Sequence, residues 1–512
     1  MAESVVSSCG TGHLGRESFP MLLHTLLRQF NPQISVAGIP NVEVTGVRED
    51  SRLVRPGDLF VARPGTKADG AQFVADAKAR GAVVVVSQTA QPKAASPLPQ
   101  VLVADAGSAA SVLANLLQGS PAEKVRVLAV TGTNGKTTTT YLIRHLLARV
   151  NMRCGLIGTV EIDDGRTRRE ATMTTPAATD IAELLAAMRD KGCRACAIET
   201  SSHALDQGRV AGVPFAGAAF TNLTGDHLDY HKTMENYAAA KARLFTSLHN
   251  SAVAVVNAAD KWSPKMVEHC AGRVLRFGFA KNADYAAKDL SYSAQGTTFV
   301  LHSPDGRAEV NLPMVGKHNV ENALGAAALV GEVFGVSVHQ LASGLRDAQG
   351  APGRLQAVRA GQPFAVLVDY AHTDDALDNV LSALKPLTKG KLRVLFGCGG
   401  DRDRTKRPRM ARTAEKWADA IYVTSDNPRT EDARCILNEV CGGFTPEGVR
   451  KTVVEIDRRR AIEAILNDAG PNDVVLIAGK GHENYQIIGT EKHHFDDVEE
   501  SSRVLRGAAV AA

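Results

Sequence analysis

Val125-Arg-Val-Leu-Ala-Val-Thr-Gly-Thr-Asn-Gly-Lys-Thr-Thr138 carries an apolar, β-type run straight into a glycine-punctuated turn that ends in a lysine and two threonines. The next residues are helical, with Leu142, Ile143, Leu146 and Leu147 on one face of a helix opening at Lys136. Strand, glycine-rich turn and helix N-terminus, in that order, make a phosphate-binding loop. Gly132 and Gly135 let backbone N–H groups approach a phosphate, the helix start adds positive potential, Lys136 supplies a mobile cation, and the Thr137 hydroxyl suits Mg²⁺. The run departs from the full Walker pattern, whose first glycine would fall on Val130. Two rival nucleotide readings are weaker. A guanine-reading switch carries Asn-Lys-x-Asp after a strand, and none occurs; a dinucleotide fold needs a third glycine where Gly397-Cys-Gly-Gly400 is followed by Arg402.

Working outward, short β-rich runs alternate with amphipathic helical runs. Before the loop come strands at Val42–Val47, Leu59–Ala62 and Val83–Val86, with a helix near Ala71–Arg80. After it, the stripe Ile181, Leu184, Leu185, Met188 is followed by strands at Ala195–Ile198 and Ala216–Phe220. A third series begins beyond Ala351-Pro-Gly353, with strands at Ala365–Val368, Leu392–Phe396, Ile421–Thr424 and Val474–Ile477 and a helix over Leu377–Leu384. The alternation predicts parallel sheets covered by helices. We therefore expect an α/β chain of three α/β domains: residues 1–121, a central P-loop ATPase-type parallel sheet over 122–351, and a Rossmann-like C-terminal domain over 352–512. At about 100–200 residues per domain, the 512-residue length fits that number.

Apolar residues at 44% and charged residues at 22% describe an ordinary globular chain, and a net charge of +4 says little about partners. No leader-like N-terminus and no run of about 18 uncharged apolar residues are found, so a cytoplasmic protein without membrane insertion is expected. The eight cysteines should then be thiols; Cys193-Arg-Ala-Cys196 lacks a partner at zinc-like spacing and reads as a structural, half-buried pair. Arg402, Arg404, Lys406, Arg407, Arg409 and Arg412 form a basic cluster, but Asp401 and Asp403 interrupt it and no aromatics interleave. It predicts an anionic small-molecule site rather than nucleic acid.

Gly132-Thr-Asn-Gly-Lys-Thr137 resembles the phosphate loop of the Mur ligase family, and further landmarks follow in order. Asp50-Ser-Arg52, Pro56-Gly-Asp-Leu-Phe60 and Asp69-Gly70 resemble the family's first domain; Glu199-Thr-Ser-Ser-His203, Gln207-Gly-Arg-Val210 and Thr221-Asn-Leu-Thr-Gly-Asp-His-Leu-Asp-Tyr-His231 its central domain. Gly316-Lys-His-Asn-Val-Glu-Asn322, Pro352-Gly-Arg354, Asp369-Tyr-Ala-His372, Gly397-Cys-Gly-Gly-Asp-Arg-Asp403, Asp426-Asn-Pro-Arg429 and Gly479-Lys-Gly-His-Glu483 complete the set. The resemblance covers about Val42 to Glu483. Thr373-Asp374 stands where the family has Thr-Pro, which would loosen a helix entry, and Gly225 stands where a polar residue often precedes Asp-His.

The resemblance implies an ATP- and Mg²⁺-dependent amide ligase acting through an acyl phosphate. It implies that the first domain binds the UDP end of a UDP-N-acetylmuramoyl dipeptide, the central domain binds ATP and the C-terminal domain binds the incoming amino acid. Lys136, Glu199, His227 and Lys241 would be catalytic, with Thr137, Glu199, His227 and a carbamylated Lys241 around the metal. Gly132 to Thr138, Asn319, Asn322, Arg354, Asp369 and His372 would hold ATP; Ser51, Thr174, Thr175, Ser201, Gln207 and Arg209 would hold the muramoyl dipeptide. Arg402, Asp426, Asn427, Arg429, Gly479 and Glu483 would hold the amino acid, expected to be meso-diaminopimelate because a guanidinium at 429 can pair its distal carboxylate. A monomer is expected. Taken singly, Glu199 reads equally as a solvated strand end, His227 as a helix cap or a surface histidine, and Thr174-Thr175 as a cap before Pro176; Asp426-Asn-Pro428 also suits a turn. Lys241 shares a helical face with Tyr237, Leu244, Phe245 and Leu248 over Met234–Leu248, where its ammonium either loses its proton or snorkels to water.

Overall fold

The computed structural model describes residues 20–65, 69–90 and 98–511, with side chains to residue 507. Residues 1–19, on which the expectation of a leaderless N-terminus rests, lie outside the described residues. The chain forms two compact units. The first takes in Met1–Glu123, Pro176–Ala187 and Gln207–Val213. Its sheet is parallel, in the order Gly46–Arg48, Asp58–Ala62, Val84–Ser87, Gln100–Leu102. Leu59-Phe-Val-Ala62 and Val84-Val-Val86 are buried on both faces, as continuous apolar runs in parallel sheets require. The expected strand at 42–47 is divided: Glu43–Val44 pairs with Met21–Leu22, and Gly46–Arg48 joins the sheet. The helix expected from Ala71 begins as the 3₁₀ turn Gly70–Phe73, capped by Asp69, and is α-helical only over Val74–Ala79.

The second unit carries two large sheets and the antiparallel pair Tyr485–Ile488 with Glu491–His494. In the larger, Arg126–Thr131 lies between Ala195–Glu199 and Phe215–Phe220, all parallel. The chain leaves this strand toward Cys154–Ile157 on one side, and the crossover from Ala195–Glu199 passes to Phe215–Phe220 on the other; that reversal makes the carboxyl ends here the place where open α/β sheets bind ligands. Cys154–Ile157, Val253–Asn257 and Arg273–Gly278 extend the parallel part, and an antiparallel meander over Tyr285–Ser293, Gly296–Ser303 and Gly306–Leu312 completes that edge. The helices Lys136–Arg149 and Lys317–Phe334 share the core beneath, Leu142, Leu146 and Leu147 with Val320, Ala323 and Ala327. Cys193 and Cys196 are buried thiols, and burial pushes Cys193 up to about 11, which leaves the pair unreactive.

The smaller sheet runs Gln356–Ala357, Ala365–Asp369, Val474–Ala478, Leu392–Phe396, Ala420–Val423, Thr452–Val454, parallel after its first strand. Its last, three-residue strand is an edge on which Val453 and Val454 are exposed. The helix Asp374–Leu384 is well formed without the family's proline: Thr373 Oγ1 accepts from Ala376 N at 3.2 Å, and Asp374 pairs with Arg409 at 2.9 Å. The expected loosening at Thr373-Asp374 is therefore not found. A final helix, Asp497–Ala511, packs Val504 and Leu505 against Ile462 and Ile465. Among the described residues no helix is long and apolar enough to cross a membrane.

Candidate active site

The phosphate loop is held from three sides. Thr133 N donates to Asn222 O at 2.8 Å, Asn134 N to Asn222 Oδ1 at 3.0 Å, and Thr221 Oγ1 to Asn134 O at 2.5 Å. Gly135 has φ 85°, and a Cβ there would strike Asn322 Oδ1, so the turn needs glycine both for its left-handed backbone and for the close approach of the Lys317–Phe334 helix. Lys136 Nζ donates to the carbonyls of Gly132 (3.0 Å) and Thr133 (2.8 Å), and burial lowers its pKa. Thr138 is buried in the first turn of the following helix. Asn319 Nδ2 donates to Val315 O at 2.8 Å and lies beside Asn322. Sequence reasoning placed Thr221 and Asn222 in a landmark but gave them no role; their position directly after a strand was the available signal.

Glu199 ends its strand fully buried. Thr137 Oγ1 donates to its Oε2 at 2.9 Å, Thr159 N to Oε1 at 2.8 Å and Thr159 Oγ1 to Oε2 at 3.0 Å, and Thr159 Oγ1 also reaches Thr174 Oγ1 at 3.0 Å. Thr175 Oγ1 donates to Glu199 O at 2.8 Å and accepts from Ser201 N at 3.0 Å. Thr174, Thr175 and Ser201 thus buttress this strand end. Among the described residues no three His, Cys, Asp or Glu side chains are gathered as a metal set. The Thr137–Glu199 pair offers hard oxygens, and Mg²⁺ binds through one or two protein oxygens together with phosphate oxygens and water, so these residues fit it.

His227 stands at the N-cap position of Leu228–His231 with φ 53°, yet its side chain caps nothing. Its imidazole instead packs with His203 (centroids 5.0 Å) and Tyr237 (6.2 Å) and lies 3.5 Å from Asp226. Lys241 is 1% exposed, on the helix Met234–Thr246 as expected. Its Nζ sits 4.6 Å from the Tyr237 ring centre and donates to Gly132 O at 2.9 Å, so it reaches into the phosphate loop rather than to water. Burial, with Lys136 alongside, holds its pKa well below the usual lysine value.

On the smaller sheet the strand ends collect the remaining residues. Asp369 accepts from Leu355 N (2.7 Å) and Ala371 N (2.8 Å), and burial raises its pKa. The Arg354 guanidinium lies 5.2 Å from the Tyr370 ring centre, and its buried Nε has no hydrogen-bond partner among the described residues. His372 Nδ1 approaches Tyr370 O at 3.0 Å. His482, whose ring lies 5.0 Å from that of Tyr370, is pushed down to about 4 by burial and the nearby Arg354.

Asp426, Asn427 and Glu483 surround Lys480, a fully buried lysine to which sequence reasoning gave no role. Lys480 Nζ lies 3.2 Å from Asn427 Oδ1, 3.6 Å from Asp426 and 3.7 Å from Glu483, and Asn427 Nδ2 donates to Glu483 Oε2 at 2.9 Å. Burial opposes ionisation of Asp426, but Lys480, Arg458 and Lys406 together pull its pKa below the usual range. Gly479 adopts φ 112° beside Asp426. Arg429 is left-handed, φ 53°, pinned by Arg429 N to Ile487 O (3.1 Å) and Gly489 N to Arg429 O (2.8 Å). Its guanidinium donates to Gly400 O at 2.9 Å and, among the described residues, pairs with no carboxylate. Arg429 and Arg402 flank Gly399. The rest of the basic cluster is largely neutralised: Arg404 pairs with Glu439, Arg407 with Glu431 and Glu439, Arg409 with Asp374.

In the first unit, Ser51 is buried in a 3₁₀ turn capped by Asp50. Arg209 donates through Nε (3.0 Å) and Nη2 (2.6 Å) to Gln207 Oε1, which fixes its plane.

Comparison with known proteins adds three family matches: the Mur ligase family catalytic domain over residues 43–119, the Mur ligase middle domain over 130–330 and the Mur ligase glutamate ligase domain over 353–481. The chain is 45% identical over 470 residues to a UDP-N-acetylmuramoyl-L-alanyl-D-glutamate–2,6-diaminopimelate ligase of Thermosynechococcus vestitus, covering 91% of this chain and 94% of that one. A ligase of the same name from Bacillus cereus is 41% identical over 493 residues, covering 95% and 99%. A solved structure of such a ligase superposes with a TM-score of 0.73 at 36% identity, covering 94% of this chain and 99% of that one.

Proposed function

The chain belongs to the Mur ligase family, and from that membership we propose that it joins meso-2,6-diaminopimelate to UDP-N-acetylmuramoyl-L-alanyl-D-glutamate at the expense of ATP, in peptidoglycan precursor synthesis. The observation that carries the choice of amino acid is Arg429, held by backbone bonds alone and beside Arg402. Diaminopimelate differs from lysine by one distal carboxylate, which a guanidinium free of acidic partners binds through two parallel bonds. Glu483, braced by Asn427 and Lys480, receives an ammonium end.

In the first step an oxygen of the D-glutamyl γ-carboxylate attacks the ATP γ-phosphorus and ADP leaves. In the second, the diaminopimelate amine attacks the acyl carbon, phosphate departs with the C–O bond electrons, and the amine loses a proton. Alignment and charge neutralisation carry such chemistry more than a protein nucleophile does. Lys136 and the loop N–H groups cradle the phosphates, and Arg354, Asp369, Asn319, Asn322 and His372 position the nucleotide. Thr137, Glu199 and His227 would hold Mg²⁺, which offsets negative charge on the phosphates when bound. Lys241, buried against the loop, is suited to react as the neutral amine with CO₂, and its carbamate adds an anion there. Thr174, Thr175 and Ser201 in the second unit, and Ser51, Gln207 and Arg209 in the first, are assigned to the muramoyl dipeptide, with UDP on domain 1–121, ATP on 122–351 and the amino acid on 352–512. We assign the protein to the cytoplasm as a monomer.

The test is phosphate release by the pure protein with ATP, Mg²⁺ and the UDP-dipeptide. Release on adding meso-diaminopimelate and little on adding L-lysine supports the assignment; release with neither refutes it.

A further inference from the structure

Arg458 opens the helix Arg458–Asn467 with its side chain fully buried. Its guanidinium donates to both oxygens of Asp497, Nε to Oδ1 at 2.8 Å and Nη2 to Oδ2 at 2.7 Å. The same group reaches two backbone carbonyls, Ala478 O at 3.0 Å and Ser425 O at 3.5 Å. Those carbonyls immediately precede Gly479 and Asp426, where the two amino-acid loops begin. Asp497 is itself fully buried at the start of the last helix, and Ser501 Oγ donates to its carbonyl at 2.6 Å. One planar cation therefore ties three pieces of chain distant in sequence.

A buried ion pair is close to neutral for stability against a well-packed apolar pair, because the desolvation of both charges offsets their attraction. Stability alone gives no reason for this one. What an apolar pair could not reproduce is donation to the carbonyls of Ser425 and Ala478. Those two bonds fix the spacing of the loops bearing Asp426, Asn427 and Arg429 on one side and Glu483 on the other.

We infer that Arg458 is a positioning residue for amino-acid selection and that Asp497, and through it the C-terminal helix, serves to orient Arg458 against the two loops. The inference rests on the ligase reading above. A diaminopimelate must meet Arg429 with its distal carboxylate and Glu483 with an ammonium at once, and lysine needs no such simultaneous fit. Loosening the loop spacing therefore weakens diaminopimelate binding while leaving ATP, whose proposed contacts lie elsewhere, unaffected.

The experiment compares wild type with the double variant Arg458→Met/Asp497→Leu, which keeps the core apolar and charge-free, and with Arg458→Lys, which keeps a cation beside Asp497 but cannot reach both carbonyls. Apparent KM is measured for diaminopimelate, ATP and the UDP-dipeptide, with lysine as competing substrate and the thermal transition as a check on folding. The double variant should raise the diaminopimelate KM roughly 10- to 100-fold, lower the preference for diaminopimelate over lysine by a similar factor, and move the ATP KM less than about twofold. Arg458→Lys should fall between it and wild type. A folded double variant with wild-type KM and selectivity overturns the inference; should that variant not fold, wild-type values for Arg458→Lys overturn it equally. A parallel rise in all three KM values shows general loosening and also refutes it. Wild-type protein without diaminopimelate-dependent phosphate release refutes the ligase reading and this inference together.

Discussion

The hydroxyl of Thr137 donates to Glu199 Oε2 across 2.9 Å, joining the first turn of the phosphate-loop helix to the end of the neighbouring strand. Glu199→Gln keeps the size and a donor-acceptor group but removes the negative charge. We expect kcat to fall by roughly 10²-fold or more and the Mg²⁺ needed for half-maximal rate to rise, with chelation stopping wild-type turnover. An unchanged Mg²⁺ titration in the variant would exclude Glu199 from the metal site.

Arg429→Ala should raise the apparent KM for diaminopimelate by about 10- to 100-fold, the equivalent of a charge-assisted hydrogen bond of about 1.5–3 kcal/mol. The KM for ATP should stay within about twofold of wild type. Equal rises in both constants would mean that Arg429 supports the fold rather than the substrate.

Lys241→Met should abolish most activity without lowering the thermal transition, since a buried ammonium is costly and Gly132 O keeps its bond from Lys136. If Lys241 works as a carbamate, wild-type activity should rise with added bicarbonate and fall in CO₂-free buffer. Full activity of the methionine variant would falsify the assignment.

His482 supplies a pH signature. Its folded value of about 4 lies below the ordinary 6.5, so between those values the unfolded chain binds the extra proton. Stability then rises with pH across the window and is progressively lost as pH falls from 6.5 toward 4. Urea midpoints of His482→Gln should slope less steeply than wild type over that range; identical slopes would show that the imidazole is solvated.

The parallel cores were legible because Val83–Val86, Ala195–Ile198 and Val474–Ile477 are continuous apolar runs, a pattern that strands buried on both faces impose. The meander over Tyr285–Leu312 was not read. Lys288-Asp289 breaks the pattern of its first strand at a register shift, but Thr297, Phe299 and Leu301, then Ala308, Val310 and Leu312, alternate with more exposed residues and were the available signal. At the site, Glu199 and Asp369 stood out by their places at strand ends, Lys136 at a helix start after a glycine turn and Lys241 on an apolar helical face. Lys480 and Arg458 could not, because a cation in a loop or at a helix start looks solvated until its carboxylate partners, far away in sequence, are brought to it. Glu199 and His227 illustrate the remaining gap. The first ends a strand and is enclosed by threonines, whereas the second lies beyond the end of one, exposed at the edge of an aromatic cluster.

The exposed edge strand Thr452–Val454 bears on behaviour in solution. A sheet margin with two outward valines is a template for another chain, and its hazard grows with the number of unpaired peptide groups it offers. Here that number is small, because the strand is three residues long and is bracketed by Lys451 and Glu455. Lys451 Nζ is drawn back onto Glu415 O and Ala418 O, so the lysine braces the margin against the helix behind it instead of extending along it. Replacing either flanking charge with an apolar residue would lengthen the adhesive run, and the cost would appear as turbidity on concentration long before it appeared in catalysis.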